Sequence, residues 1–287
     1  MKQRMPPYAA RPVAFLAPAA IILGGVTLYP ILYVFWLSLQ RHSLLLERPD
    51  FVGLENFVRL FADARFANAL GNTVYFTLTS VALELALGLA IALLLARPFA
   101  GQGAMRAVVL LPWAIPTVVA ARMWEWMYNG DYGVINYLLG TDINWLGSPL
   151  WAIHAAIAMD VWKSTPFVAL LLLAGRLAIS PELYKAARLD GAGAWALFRH
   201  VTLPLLWPLI LIVLIFRTID AFRVFDAIYV LTGGGPANTS ETLSIYTYKV
   251  LFQTLEFGYG SALAVSVFVC IAAITAVYVW LLRRSLQ

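Results

Sequence analysis

Apolar residues recur along the chain in six long blocks, at about 13 to 39, 71 to 95, 106 to 127, 151 to 175, 204 to 231 and 259 to 282. A helix needs about 20 such residues to cross a hydrocarbon layer roughly 30 Å thick, and each block meets that length. Between the blocks charge, glycine and proline collect. Backbone polar groups in lipid have no water to turn to, so each block is expected as a helix that satisfies its own hydrogen bonds. The pattern predicts an all-α polytopic membrane protein with six transmembrane helices and both termini on one side.

Composition sharpens this: 62% of the residues are hydrophobic and 12% charged, against about a quarter charged in a soluble domain. Lys and Arg are unevenly placed. Eleven fall in the N-terminal head, the 96–106 turn, the 176–203 loop and the tail, whereas five (Arg41, Arg48, Arg59, Arg65 and Lys249) fall on the other side among eight acids such as Glu47, Asp50, Asp131, Asp142 and Glu241. The positive-inside rule then makes both termini and the 176–203 loop cytoplasmic. The net charge of +5 is spread between spans with no basic run, which argues against nucleic acid as a partner. Cys270 is the single cysteine, so no intrachain disulfide forms and its site in an apolar block reads as core packing.

Lys2, Arg4 and Arg11 before the first block resemble the start of a signal peptide. The apolar run continues past Pro30 to about Leu39 with no small-x-small pattern before Arg41, so retention is expected. The organisation read from the chain is a cytoplasmic head, 1–12, and one transmembrane domain, 13–287. Trp124, Trp126, Tyr128, Trp145 and Trp151 lie near block ends, where amphipathic rings anchor a helix at headgroup level.

The 176–203 loop starts as a helix should. Ser180 is placed to cap, Pro181 suits the first helical position and Glu182 suits the positive dipole end. Leu183, Ala186, Ala187 and Asp190 follow at helical spacing, and Gly191 and Gly193 end the helix before a second one with Trp195, Leu197 and Phe198. Such a unit either docks into a groove on another protein or lies on the membrane surface.

The run Glu182-Leu-Tyr-Lys-Ala-Ala-Arg-Leu-Asp-Gly-Ala, with Leu203-Pro204 beyond it, resembles the EAA loop of permease subunits in binding-protein-dependent ABC importers. Phe225-Asp-Ala-Ile-Tyr-Val-Leu-Thr-Gly-Gly-Gly-Pro236, Phe51-Val-Gly-Leu-Glu-Asn-Phe57, Asn72-Thr73 and Leu111-Pro-Trp-Ala-Ile-Pro116 resemble segments of carbohydrate permeases typified by the larger membrane subunit of the maltose transporter. Nearly the whole chain is covered, as the six-helix core without extra spans. The resemblance implies a sugar or sugar-like solute crossing a bacterial or archaeal cytoplasmic membrane by alternating access. The implied partners are a second homologous permease, a dimer of cytoplasmic ABC ATPase and an extracytoplasmic solute-binding protein. It also implies that Glu182, Lys185, Ala186, Ala187, Asp190 and Gly191 couple to the ATPase. Lys185 departs from the family's usual Glu. Solute-facing positions implied by the resemblance are Asp160, Ser164 and Phe167 in the fourth span and Arg217, Ala221 and Val224 in the fifth.

Gly233-Gly-Gly-Pro236 lacks a following Gly-Lys-Ser/Thr, and no P-loop occurs, so ATP and Mg are expected on the partner ATPase and no cofactor on this chain. The glycines read as a tight turn or as a contact for the binding protein. Glu84, Arg122, Glu125, Asp160, Lys163, Arg217, Asp220, Arg223 and Asp226 lie in or near spans, where a central charge costs about 3 kcal/mol. Their steps of three allow Arg122–Glu125, Asp160–Lys163 and the 217-220-223-226 series to pair along their own helices. Alternatively some line the solute path, Asp160 accepting from hydroxyls and Arg217 donating to a sugar or an anionic group. A basic pathway there leaves sugar phosphates and glycerol phosphate open as solutes.

Two other classes compete. Asp160 and Asp226 would serve as protonatable sites in an ion- or proton-coupled secondary transporter. An intramembrane enzyme has little support: His42, His154 and His200 stand in separate segments, with no Gly-x-Ser-x-Gly or His-Glu-x-x-His pattern and so no metal pair.

Overall fold

The computed structural model describes residues 10–44 and 49–285, with side chains described from residue 15 to residue 284. Readings that rest on Lys2, Arg4, Glu47 and Arg48 lie outside the described residues. In chain order the elements are α1 (Ala10–Ser38), β1 (Gln40–Arg41), β2 (Asp50–Phe51), α2 (Glu55–Ala62), α3 (Ala64–Leu95), α4 (Gln102–Ala114), α5 (Thr117–Met127), α6 (Val134–Leu139) and α7 (Trp151–Ala178). There follow α8 (Pro181–Leu189), α9 (Ala194–Leu197), a π-helical turn (Phe198–Thr202), α10 (Leu203–Phe222), α11 (Asp226–Leu231), α12 (Leu243–Phe252) and α13 (Phe257–Ser285). Among the described residues five helical stretches are long and apolar enough to cross a membrane, and the bent pair α4 with α5, counted as one span, gives a sixth.

That bend refines the reading of 106–127 as one block. The two helices meet at 91°. Pro116 has no N–H to continue the ladder and drives the residue before it out of helical conformation, and Ile115 is extended at φ −73°, ψ 131°. The fifth block is likewise interrupted: α10 stops at Phe222 and α11 starts at Asp226, with Arg223 capping the break.

The chain divides into two compact units, one running to Asp63 and including Thr247–Ser266, the other comprising Ala64–Tyr246 and the residues from Val267 on. In the first, α1 is apolar on all faces and no residue of its most hydrophobic window is buried, as suits a helix surrounded by lipid or another chain. Its end is tied down locally. β1 pairs antiparallel with β2, Gln40 opposite Phe51, and the Asn56 side chain donates to the Ser38 and Gln40 carbonyls at 2.8 Å each. The Phe51–Phe57 motif thereby satisfies carbonyls that the end of α1 leaves open. Arg59 reaches Glu256 at 2.6 Å and lies over the Tyr259 ring.

In the second unit α3 and α7 form the principal interface, and α10 packs on both. The approach of α3 to α7 is close because Gly88 has no side chain: a Cβ there would lie 2.6 Å from Val168 Cγ1. One core gathers Phe76, Ile157, Met159, Ala221 and Ile228 around these helices. A second, toward the end of the helices that adjoins the 176–203 loop, joins Leu95, Leu172, Leu206 and Ile210.

Candidate functional site

Arg217 on α10 is the centre of a buried ion cluster. Its Nε and Nη2 donate to the two carboxylate oxygens of Glu84 on α3 at 2.6 and 2.8 Å, its Nη1 to Asp220 at 2.6 Å and its Nη2 to Asp160 on α7 at 3.3 Å. Four of the five N–H donors of the guanidinium are thereby committed. Glu84 is fully buried and Arg217 is 5% exposed, so each needs the other: an unpartnered charge in such a place costs several kcal/mol.

This pairing corrects part of the sequence reading. Arg122–Glu125 does form along one helix, at 2.6 Å, and Asp220 joins both Arg217 and Arg223. Asp160, however, pairs with Arg217 rather than Lys163, whose ammonium donates instead to the Trp113 carbonyl at 3.4 Å. The break between α10 and α11 removes the helical register that would have brought Arg223 to Asp226. The main partner of Arg217 lies on another helix, which same-helix spacing cannot reveal. A signal for it was present: Glu84 has Ser80, Val81, Leu87 and Gly88 at its helical neighbour positions, none of them basic, so its partner had to come from elsewhere.

A cavity of about 440 Å³ opens beside the cluster. Of the six residues singled out for the solute path, Asp160, Ser164, Arg217 and Val224 line it. Phe167 lines a smaller adjoining pocket of about 200 Å³ that shares Trp113, Arg217, Asp220 and Arg223. Ala221 lines neither; it is buried in the core with residues of α3, α5, α7 and α11. Trp113, which lines both spaces, was not singled out, and it stacks on Phe167 with ring centroids 5.7 Å apart. The lining acids Asp160, Asp220 and Asp226 stand against Lys163, Arg217 and Arg223, so the walls are balanced in charge rather than basic. One side thus offers charged donors and acceptors, another an aromatic face.

The 176–203 loop folds as expected from its residues. Ser180 Oγ accepts from the Glu182 N–H, Pro181 opens α8, and Gly191 follows the helix at φ +85°. Glu182, Lys185, Ala186, Asp190 and Gly191 are exposed and Ala187 is half-buried. Leu183, Leu189 and Trp195 are exposed as well, so the loop presents an apolar, small-residue face. Tyr184 alone in α8 is buried, and sequence reasoning passed over it.

Gly233–Pro236 is held by its neighbours. Glu241, fully buried, accepts from Arg65 at 2.7 and 2.8 Å, while Asn68 and Asn72 donate to the Asn238 carbonyl and Asn72 also to that of Glu241. The Asn72 motif thereby binds the loop to the start of α3.

The family of binding-protein-dependent transport system inner membrane components matches residues 85–287. Over 267 residues the chain is 44% identical to the trehalose/maltose transport system permease protein of Thermococcus litoralis, a match covering 92% of this chain and 90% of the relative. It is 42% identical over 278 residues to the sulfoquinovosyl glycerol transport system permease protein of Agrobacterium fabrum, covering 95% and 90%. Its fold superposes on a chain of a bacterial alginate ABC transporter, solved in complex with alginate pentasaccharide-bound periplasmic protein, with a TM-score of 0.83 at 24% identity over 95% of this chain and 93% of that one.

Proposed function

Because this chain belongs to the family of binding-protein-dependent transport system inner membrane components, we propose that it forms the path by which a sugar or sugar-like solute enters the cell. It is a transport subunit of an ABC importer, not an enzyme, and the family works with an ATPase and a solute-binding protein. The secondary-transporter alternative is not favoured. The finer assembly is our reading: a second homologous permease beside it, two ATPase copies that hold ATP and Mg, and both termini on the cytoplasmic side of the inner membrane. Residues 13–287 act as one permease domain, with 176–203 as its coupling loop. Glu182, Lys185, Ala186, Ala187, Asp190 and Gly191 form the face turned to the ATPase.

The observation that carries the solute class is the two-sided cavity. Asp160, Lys163 and Ser164 on one wall suit hydroxyls, and the stacked Trp113–Phe167 pair suits the apolar face of a sugar ring. The relatives named for trehalose/maltose and for sulfoquinovosyl glycerol support the same class. Because Arg217 is already held by Glu84 and Asp220, it acts within the wall more than as a clamp on an anion. Within that class, the charge balance favours an uncharged glycan over a sugar phosphate.

The test is uptake by the whole importer in proteoliposomes loaded with ATP. Uptake of trehalose or another neutral glycan that requires internal ATP and survives a protonophore is the expected result. Uptake that ignores ATP and collapses with the proton gradient would overturn it.

A further inference from the structure

On the side of α8 opposite its exposed alanine face, one residue reaches inward. Tyr184 is 8% exposed, and both ends of its side chain are engaged. Its ring lies beneath the guanidinium of Arg176 in the last turn of α7, 4.0 Å from Cζ to the ring centroid. Its hydroxyl meets Thr202 Oγ1 at 2.9 Å, and Thr202 Oγ1 in turn donates to the Leu197 carbonyl at 3.3 Å. That last bond spans the π-helical turn Phe198–Thr202, which feeds directly into α10. Turns of this kind are rare and gather at functional sites. A loop that merely covered the membrane surface would have no need to bury an aromatic ring with its polar tip satisfied.

The two helices reached by Tyr184 are those that carry the cavity charges. Asp160 and Lys163 stand on α7 and Arg217 on α10, each roughly 20 to 24 Å along its helix from the contact at the foot. At that foot the helices are closely packed. Gly175 leaves room for Leu206 and Leu209 of α10, whose side chains a Cβ at that position would meet. Close-packed interiors transmit displacement rather than absorb it.

We propose that Tyr184 is a positioning residue that ties the coupling helix α8 to the feet of α7 and α10 at once, so that displacement of α8 moves the cavity residues on α7 and on α10 together. This rests on the reading of the chain as an importer permease. Docking belongs to the exposed face of α8; transmission belongs to the Tyr184–Thr202 hydrogen bond and the Arg176 contact.

The experiment uses the complete importer purified from membranes, with Cys270→Ala as background and Thr117→Cys as a reporter lining the cavity. The rate at which a membrane-impermeant maleimide labels the reporter is measured without nucleotide and after trapping with MgATP and vanadate, so no solute is required. With the tether intact, trapping changes the rate. Tyr184→Phe, which keeps the ring under Arg176 and removes one hydrogen bond worth about 1 kcal/mol, and Thr202→Val, which keeps the shape but gives up the Leu197 bond as well, are each expected to shrink that change about fivefold or more while ATPase recovery is unchanged. The double variant Tyr184→Phe/Thr202→Val leaves no unpartnered hydroxyl and is expected to stay as low as the singles. A full response in either single variant, or recovery of the response in the double variant, overturns the tether by reducing the pair to a satisfied buried contact. Loss of ATPase recovery in the singles also overturns it, making Tyr184 a support for docking alone. If the unmutated chain recovers no ATPase or shows no response to trapping, the importer reading falls, and the tether with it.

Discussion

Glu84 and Arg217 meet across the α3–α10 contact with both carboxylate oxygens on the guanidinium fork, at 2.6 and 2.8 Å. Geometry of this kind is the strong form of an ion pair, and here it fixes the one arginine that the cavity and the core share. Removing Glu84 leaves the buried Arg217 with the exposed Asp220 and the more distant Asp160 as its remaining partners. Glu84→Ala is expected to destabilise the protein by about 3 to 5 kcal/mol. Asp220→Asn, at a side chain that is 57% exposed, is expected to cost less than about 1 kcal/mol. Thermal unfolding of the two variants in the same detergent checks the order; equal midpoints would contradict it.

Gly88 and Gly175 both allow α7 to be approached closely, but what they face differs. A Cβ on Gly88 would press on Val168 Cγ1 and Cβ at 2.6 and 2.9 Å and on the Ala169 backbone nitrogen at 3.2 Å. A Cβ on Gly175 would meet chiefly the side-chain end of the half-buried Leu209 and no backbone atom. Gly88→Ala is therefore expected to cost about 1 to 3 kcal/mol as an overpacking change, and Gly175→Ala less. Relative yield of folded protein after extraction, followed by unfolding midpoints, is the measurement.

Gly191 ends α8 at φ +85° with open space where a Cβ would stand, so its requirement is conformational rather than steric crowding. Asn tolerates the left-handed region and a β-branched residue does not. Gly191→Asn is expected to recover nearly as much ATPase as the unmutated chain, and Gly191→Val several-fold less. Equal recovery would show that the turn does not shape the docking face.

The 233–242 segment is held by the Arg65–Glu241 fork and the Asn68 and Asn72 amides. Glu241→Ala removes the buried acceptor at 0% exposure, and backbone amides of the segment are expected to exchange with solvent about tenfold faster or more. Unchanged exchange there would mean that the backbone turn suffices to hold it.

Much of this architecture was legible from residues alone, because lipid imposes a single solution on a long apolar run. The Ser180–Pro181 start of α8 and the Gly191 stop are local signals that appear where their chemistry placed them, and four of the six blocks run as continuous helices, whereas the third and fifth are broken. The bend at Pro116 was equally local, yet an apolar window runs through it unbroken. What spacing could not supply were partners on other helices. Arg217 has an acid three residues away, and that bond forms, but Glu84 from α3 takes the stronger geometry. Ala221 shows the converse: it sits one turn from Arg217, and its side faces the core instead of the cavity. Tyr184 lay inside a motif read for its alanine face, so its inward side drew no notice until the fold brought Arg176 and Thr202 around it.

Whether this chain is the membrane path of an ATP-driven importer is tested by extracting the tagged protein gently from its native membrane and identifying what copurifies. An ABC ATPase together with a second homologous permease is expected, with a solute-binding protein retained after mild crosslinking. Recovery of the chain alone, with no ATPase even when crosslinked, would contradict it.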